Sequence, residues 1–240
     1  MSLSDSRILG YPYYKCLRGL FAAMTLRDDP GLIPSSWRFI EVAMNIQLRK
    51  AKIEDAPALA ELMNLAGEGI PAYLWGQMAD PDEDIMAFGA RRVARTEGGF
   101  SYTNAYVATA GDAIAGMLLA YPLPDPYETG PLDDIPAVVR PLVELESRVP
   151  GAWYVNAVAT ASVYRGKGIG HHLMKFAEQL ADEANTRSVT LIVAEENIPA
   201  VKLYRKLGYN VVERRGIVDY PGCSHTGDWI LMQKSLWRTP

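Results

Sequence analysis

Arg165-Gly166-Lys167-Gly168-Ile169-Gly170 lies between an apolar run, Trp153 to Thr160, and a stretch in which Ile169, Leu173, Phe176, Ala177, Leu180 and Ala184 recur at helical spacing. The run reads as a strand, and the recurrence as one face of an amphipathic helix over 168–184. The glycine-rich turn therefore opens a helix. A helix start exposes unpaired backbone N–H groups and the positive end of the helix dipole, and glycines let an anion approach that backbone closely. Arg165 adds a planar, permanently charged fork and Lys167 a second cation, both suited to a pyrophosphate. Two common phosphate loops do not fit. A Walker loop needs Gly-Lys followed by Ser or Thr, and here His171-His172 follow Gly170. A dinucleotide fingerprint counted from Gly166 needs a third glycine where His171 stands, and it expects a chain of parallel strand–helix units.

Outward from the turn, the chain continues as strand 188–194, helix 198–207, strand 210–215 and strand 229–236. Upstream, Met44, Ile46 and Leu48 alternate with Asn45, Gln47 and Arg49 as a half-buried first strand. Asp55 and Pro57 open a helix carrying Leu59, Leu62, Met63 and Ala66, which Gly67 to Pro71 ends. Ala72 to Arg95 mixes helical and loop character. Ala105–Ala110 and Ala113–Tyr121 flank Gly111-Asp112 and read as an antiparallel hairpin. Pro122 to Arg148, rich in Pro, Asp and Glu, reads as a surface excursion with at most one short helix. This order predicts a mixed sheet with helices on its faces, of class α/β or α+β.

The first 43 residues lack either periodicity and read as an appendage to a domain over 44–238, with Met44 a candidate initiator. Apolar residues make up 49% and charged residues 22% of the 240, enough for one generous globular domain. With 24 basic against 28 acidic side chains the net charge is −4, so the basic excess of a nucleic-acid binder is missing. The two cysteines, Cys16 and Cys223, are in no metal-ligand spacing and define no disulfide framework, which points to a reducing, cytoplasmic setting. No apolar stretch reaches the roughly 18 residues of a membrane span. Neither a membrane nor nucleic acid is expected as partner.

Tyr164-Arg165-Gly166-Lys167-Gly168-Ile169-Gly170 fits the Arg/Gln-x-x-Gly-x-Gly/Ala turn of the GNAT superfamily of N-acetyltransferases, which this sequence resembles. A second block, from Asn197 through Ala200 and Tyr204 to Gly208-Tyr209, matches that family's Asn-x-x-Ala-x-x-x-Tyr-x-x-x-Gly-aromatic pattern. The likeness runs from about Met44 to Leu236. It implies a mostly antiparallel central sheet flanked by helices, acetyl-CoA as cosubstrate, no metal, and a homodimer as a common assembly. It implies that the backbone of Val158, Ala159 and Thr160 holds the pantetheine arm. The turn Arg165, Gly166, Lys167, Gly168, Ile169, Gly170 and His171 would hold the pyrophosphate. Asn197 would contact the acetyl-CoA side, and Tyr204 would protonate the departing thiolate. A phenol suits that step because its pKa exceeds that of the thiol.

Two positions depart from the family pattern. Ile192 stands where some relatives carry a glutamate base, and Ser162-Val163 where Pro and an acidic residue are common. Glu195 and Glu196 follow the strand and read as solvated surface, with a base acting through water as the sharper alternative for either; Tyr154 and Asn156 could instead orient a water. His171-His172 reads as an exposed helix start in preference to a metal pair, because adjacent residues do not share a helix face. Asp125, Glu128, Asp133, Asp134, Glu144 and Glu146 outnumber Arg140 and Arg148 in the excursion and read as a solvated loop, with a cation-attracting rim as the sharper alternative. Gly67 to Trp75 reads as an acceptor wall or a dimer contact, and the loop of Tyr220, Pro221, Cys223 and His225 as an acceptor wall or a plain loop. The expected activity is acetyl transfer to a primary amine, small molecule or protein. The rivals are a CoA-binding sensor without turnover and a transferase for a larger acyl-CoA.

Overall fold

A computed structural model of the chain describes residues 46–236. The expected extension at 1–43, Met44 as initiator, Cys16 and residues 237–240 lie outside the described residues. Seven strands form one sheet, β1 (Ile46–Lys50), β2 (Ala105–Ala110), β3 (Ala113–Pro122), β4 (Trp153–Thr160), β5 (Ser188–Ala194), β6 (Asn210–Gly216) and β7 (Asp228–Ser235). Their order is β1-β2-β3-β4-β5-β7-β6. The pairs β1–β2, β2–β3, β5–β7 and β6–β7 are antiparallel, as a mostly antiparallel mixed α/β sheet requires. The helices are α1 (Ala56–Ala66), α2 (Ile70–Gly76), α3 (Ile85–Val93), α4 (Arg140–Glu146), α5 (Ile169–Glu183) and α6 (Ile198–Lys206). No helix of the described residues is long and apolar enough to cross a membrane.

The chain divides into two compact units. The first holds residues 46–120 and 155–180. Its β2–β3 hairpin turns at Gly111-Asp112 as expected, and β3 is buried continuously from Ala115 to Tyr121, the pattern of a strand covered on both faces. Helix α5 lays Ile169, Leu173, Phe176, Ala177 and Leu180 into the core, and Met174 and Ala181 widen that face, whereas Ala184 is only half-buried. Burying each large aliphatic chain contributes roughly 1.5–3 kcal/mol. The Phe176 ring meets Tyr106 of β2 edge-on at 5.0 Å.

Asp55 stands at the N-cap of α1 as expected, but its carboxylate does not cap. It binds the Arg49 guanidinium at 2.6 and 2.9 Å and the Lys52 N–H at 2.7 Å, and Arg49 holds its pKa below the usual value. Gly67 stops α1, yet Ile70-Pro71 begins a second helix at once. Ala72 to Arg95 resolves into the short helices α2 and α3, packed through Trp75, whose ring lies against Gly89. The segment Gly67 to Trp75 thus turns Ile70, Pro71 and Trp75 inward.

The second unit holds residues 121–154 and 181–236. Here β7 lies between β5 and β6, in register Leu191↔Met232 and Arg214↔Ile230, and Thr190 Oγ1 donates to Met232 O at 3.0 Å. Burial alternates along β6, which takes the edge of the sheet. The excursion Pro122 to Arg148 carries α4 and one single-turn helix, Leu132–Asp134.

Candidate functional site

In the first unit β4 runs into a single helical turn, Ser162–Tyr164, that occupies the place of the missing Pro-acidic pair, and then into the glycine turn. Gly166 and Gly168 have φ of +75° and +81°, in the left-handed region that side chains avoid, so the backbone path needs glycine at both. A Cβ on Gly166 would meet nothing within 4 Å, so the turn is open on that side. The His172 N–H reaches Gly168 O at 3.1 Å, and the preceding N–H groups at the helix start have no intrahelical acceptor. Arg165 and Lys167 are exposed. Arg165 Nε donates to Thr160 O at 3.4 Å, tying the turn to the end of β4, and Lys167 Nζ stands 5.4 Å over the Tyr164 ring. This chemistry fits a pyrophosphate: open N–H groups, a dipole end and two cations. His171 and His172 meet edge-on at 5.6 Å. Burial, then the neighbouring His171, lowers the pKa of His172. No metal-binding group of side chains occurs among the described residues.

Gly116 of β3 is a positioning residue that the sequence reading passed over. A Cβ there would come within 2.7 Å of Ala159 O and 3.2 Å of Ile169 Cγ2 and Leu173 Cδ1. The Ala161 N–H donates to Ala115 O at 2.9 Å across the same approach. A lone glycine inside an apolar strand is the signal that could have found it, since it marks a close approach of another backbone. Gly116→Ala is expected to destabilise the protein by about 1–3 kcal/mol, an overpacking cost, and to shift Ala159. Thermal melting tests the first effect, and an unchanged melting temperature would show that the strand yields freely.

In the second unit Asn197 caps α6, its Oδ1 accepting from the Ala200 N–H at 3.3 Å, with Pro199 in the first turn. The asparagine of the motif therefore has a structural duty in this fold. Tyr204, two turns further along, is 6% exposed, and its ring stands 6.2 Å from that of Tyr209. After α6 the chain reverses at Gly208, and the Tyr209 N–H donates to Tyr204 O at 3.0 Å. The Gly-aromatic end of the motif thus fixes the backbone that carries Tyr204.

Both glutamates after β5 are surface carboxylates, as expected, and each has a partner there. Glu195 takes the Arg214 guanidinium at 2.5 Å, and Glu196 accepts from the Thr226 N–H at 3.3 Å and meets His225 Nδ1 at 3.1 Å. Ile192 is half-buried, in register with Leu231. In the 220–225 loop Tyr220 is buried and Cys223 Sγ donates to His225 O at 3.0 Å.

The acidic excursion needs a correction. Asp125, Glu128, Asp133 and Asp134 are exposed and Glu144 binds Arg215 at 2.7 Å, but Glu146 is only 3% exposed. Val143 and Glu146 fall at helical spacing on the inner face of α4, in step with the buried Val139 at its N-cap, the signal that charge counting hid. Tyr127 Oη donates to Glu146 Oε2 at 2.5 Å, Oε1 is buried without a hydrogen-bond partner, and the Tyr154 phenol of β4 acts on this carboxyl to lower its pKa. Tyr121 lies edge-on to Tyr154 at 5.9 Å. Desolvation pushes Glu146 up to about 7, against the two hydroxyls, and burial raises Tyr154 further above its ordinary value. The sign follows: the folded state holds this proton more tightly than the unfolded one, so the contribution of Glu146 is intact below its ordinary 4.5 and is lost as pH rises through about 7. Glu146→Gln, which stays neutral, is expected to melt progressively higher than the parent as pH rises over that window. A difference independent of pH would contradict the buried titration.

Comparison with known proteins places the turn and α6 within one relationship. The model of the Acetyltransferase (GNAT) family matches residues 73–209, more than half of the chain. The catalytic subunit NAA20 of the N-terminal acetyltransferase B complex of Arabidopsis thaliana is 35% identical over 86 residues, covering 35% of this chain and 47% of that protein. Mycothiol acetyltransferase of Corynebacterium glutamicum is 37% identical over 59 residues, 25% of this chain and 20% of that protein. The chain thus spans less than half the length of these curated relatives. Among solved structures, the polyamine N-acetyltransferase of Drosophila melanogaster superposes with a TM-score of 0.58 at 15% identity, over 80% of this chain and 100% of that one. A mosquito arylalkylamine N-acetyltransferase superposes at 0.57 with 17% identity, over the same shares. These two share the fold.

Proposed function

The chain belongs to the GNAT family of acetyltransferases, and on that premise we propose that it transfers the acetyl group of acetyl-CoA to a primary amine, carried by a small molecule or a protein. The observation that carries the reading is the glycine turn before α5, where two left-handed glycines, open N–H groups and two cations make an anion cradle. In this reading Arg165, Gly166, Lys167, Gly168, Ile169, Gly170 and His171 bind the pyrophosphate, the backbone of Val158 to Thr160 aligns the pantetheine arm, and Asn197 lies on the acetyl-CoA side. The neutral amine attacks the thioester carbonyl directly, the C–S bond breaks, and Tyr204 gives its proton to the leaving thiolate. None of these positions is a cysteine, so no acyl-enzyme is invoked. The catalytic domain is taken as 44–238, cytoplasmic, with no metal and with a homodimer as the assembly.

Acceptors of the two structural neighbours, polyamines and arylalkylamines, define the first amines to try. Release of free thiol from acetyl-CoA in the presence of spermidine, agmatine, tyramine or an N-terminal peptide amine tests the reading. Ile192, at a position where a base could stand, favours the rival of a CoA-binding sensor, and thiol release with any amine eliminates it. Faster transfer from propionyl- or succinyl-CoA than from acetyl-CoA would reassign the acyl donor.

A further inference from the structure

Side chains of a helix lean toward its N-terminus, so a residue covers the one four positions before it. His172, in the first turn of α5, therefore lies over Gly168 of the anion cradle. A Cβ on Gly168 would stand 3.9 Å from both Cδ2 and Nε2 of the His172 ring, which puts the Nε2 edge of the imidazole at the glycine turn itself. The left-handed Gly168, at φ +81°, and the bond from the His172 N–H to Gly168 O at 3.1 Å fix the backbone on which this happens. The ring is half-buried and meets His171 edge-on at 5.6 Å. Among the described residues neither of its nitrogens has a hydrogen-bond partner.

The charged and titratable groups around this ring come from the turn and from α5. In the turn, Arg165 Nε donates to Thr160 O and Lys167 Nζ stands over the Tyr164 ring. One turn further along α5, Lys175 is paired with Glu178 at 2.7 Å. Of the strands packed on α5, β2 presents Tyr106 to Phe176, and β3 presents Gly116 to Ile169 and Leu173, so neither brings a charge there. Burial, then the charge of His171, keeps the empty imidazole neutral to a lower pH than its ordinary 6.5. The positive end of the helix dipole acts in the same sense. An anion in the cradle reverses that balance, because an opposite charge close by favours the charged form.

We propose that His172 is a binding residue of the donor site, its imidazole taking a proton from solvent when the pyrophosphate of acetyl-CoA enters the turn and becoming a third cation of the cradle. The inference rests on the acetyl-transfer reading and adds a side chain to a site built there from backbone, Arg165 and Lys167. The sign follows from linkage. The bound state holds the proton more tightly than the empty one, so binding takes up protons, and the contribution of His172 is present in mild acid and is lost as pH rises past the imidazole range. Arg165 and Lys167 stay charged throughout that range, so the part of the affinity that varies with pH on the protein side belongs to the imidazole.

The test is calorimetric titration of the full chain with acetyl-CoA between about pH 6 and 8, in two buffers of different ionisation enthalpy, which reads affinity and proton uptake together. The 3′-phosphate of the ligand titrates near pH 6, so the readout is the ratio of parent to His172→Gln affinity, in which the ligand's own titration cancels. Glutamine is a good helix former and keeps α5 intact. The parent is expected to bind about five- to tenfold more tightly than His172→Gln at the acid end and equally at the alkaline end, and to take up more protons per acetyl-CoA bound. His172→Lys, whose charge is fixed, should bind more tightly than His172→Gln at both ends, and His171→Gln should keep the proton uptake. A parent-to-Gln ratio that does not change with pH overturns the proposal. So does proton uptake that survives in His172→Gln and disappears in His171→Gln. Failure of the parent to bind acetyl-CoA at any pH removes the acetyl-transfer reading itself, and so is told apart from failure of the imidazole contact.

Discussion

Tyr204→Phe is expected to lower turnover by about 10² to 10⁴ while acetyl-CoA affinity stays nearly unchanged, the pattern of a lost general acid. The substitution is nearly isosteric. The ring remains buried, its edge contact with Tyr209 persists, and the backbone bond from the Tyr209 N–H to Tyr204 O does not involve the side chain. The lost hydroxyl is expected to cost about 1 kcal/mol of stability, so thermal melting of the variant accompanies the rate measurement, and a loss of rate in the folded variant is assigned to the missing hydroxyl. A thiolate leaving without a donor must take its proton from water, which raises the barrier to C–S cleavage and leaves ground-state binding alone. Single-turnover acetylation alongside calorimetry separates the two quantities; a parental rate would remove Tyr204 from the chemistry.

The second large effect is expected at Gly168. Gly168→Asp places a carboxylate at the mouth of the anion cradle and forces a side chain onto a residue with φ of +81°. Two like charges about 4 Å apart at an effective dielectric near 20 repel by about 4 kcal/mol, which corresponds to roughly 10² to 10³ in the dissociation constant. The left-handed backbone adds about 1–2 kcal/mol of strain. Gly168→Ala carries the strain without the charge, so its affinity should fall by about tenfold or less. Equal affinity for acetyl-CoA in the Asp variant and the parent would put the pyrophosphate somewhere other than this turn.

Long, strongly patterned elements were legible in the chain. The strands at 153–160 and 188–194 and the amphipathic α5 follow directly from alternation and helical recurrence. Helices α2 and α3 were not separable, because seven and nine residues are too few to show a period and their packing rests on Trp75 seated against Gly89. At the candidate site, the glycine turn and the Asn197-to-Tyr204 block could be read because backbone geometry demands particular residues there: glycine at positive φ, asparagine at a helix cap. Gly116 and Glu146 went unread for a common reason. Each is defined by what lies opposite it, Ala159 O in one case and the Tyr127 hydroxyl in the other, and those partners are distant in sequence. Counting Glu146 among the acids of its loop averaged away the spacing that puts it on the inner face of α4.

The most direct test of the central claim is calorimetric titration of the full chain with acetyl-CoA, with NADH and ATP as controls, since all three carry adenine and phosphates while only one carries a pantetheine thioester. The account predicts saturable one-site binding of acetyl-CoA, weakened severely in Gly168→Asp, and none of comparable strength for NADH or ATP. No binding of acetyl-CoA, or equal binding of all three, would mean that Arg165 to Gly170 is a packing turn or a general anion site, and that acetyl transfer is not what this chain does.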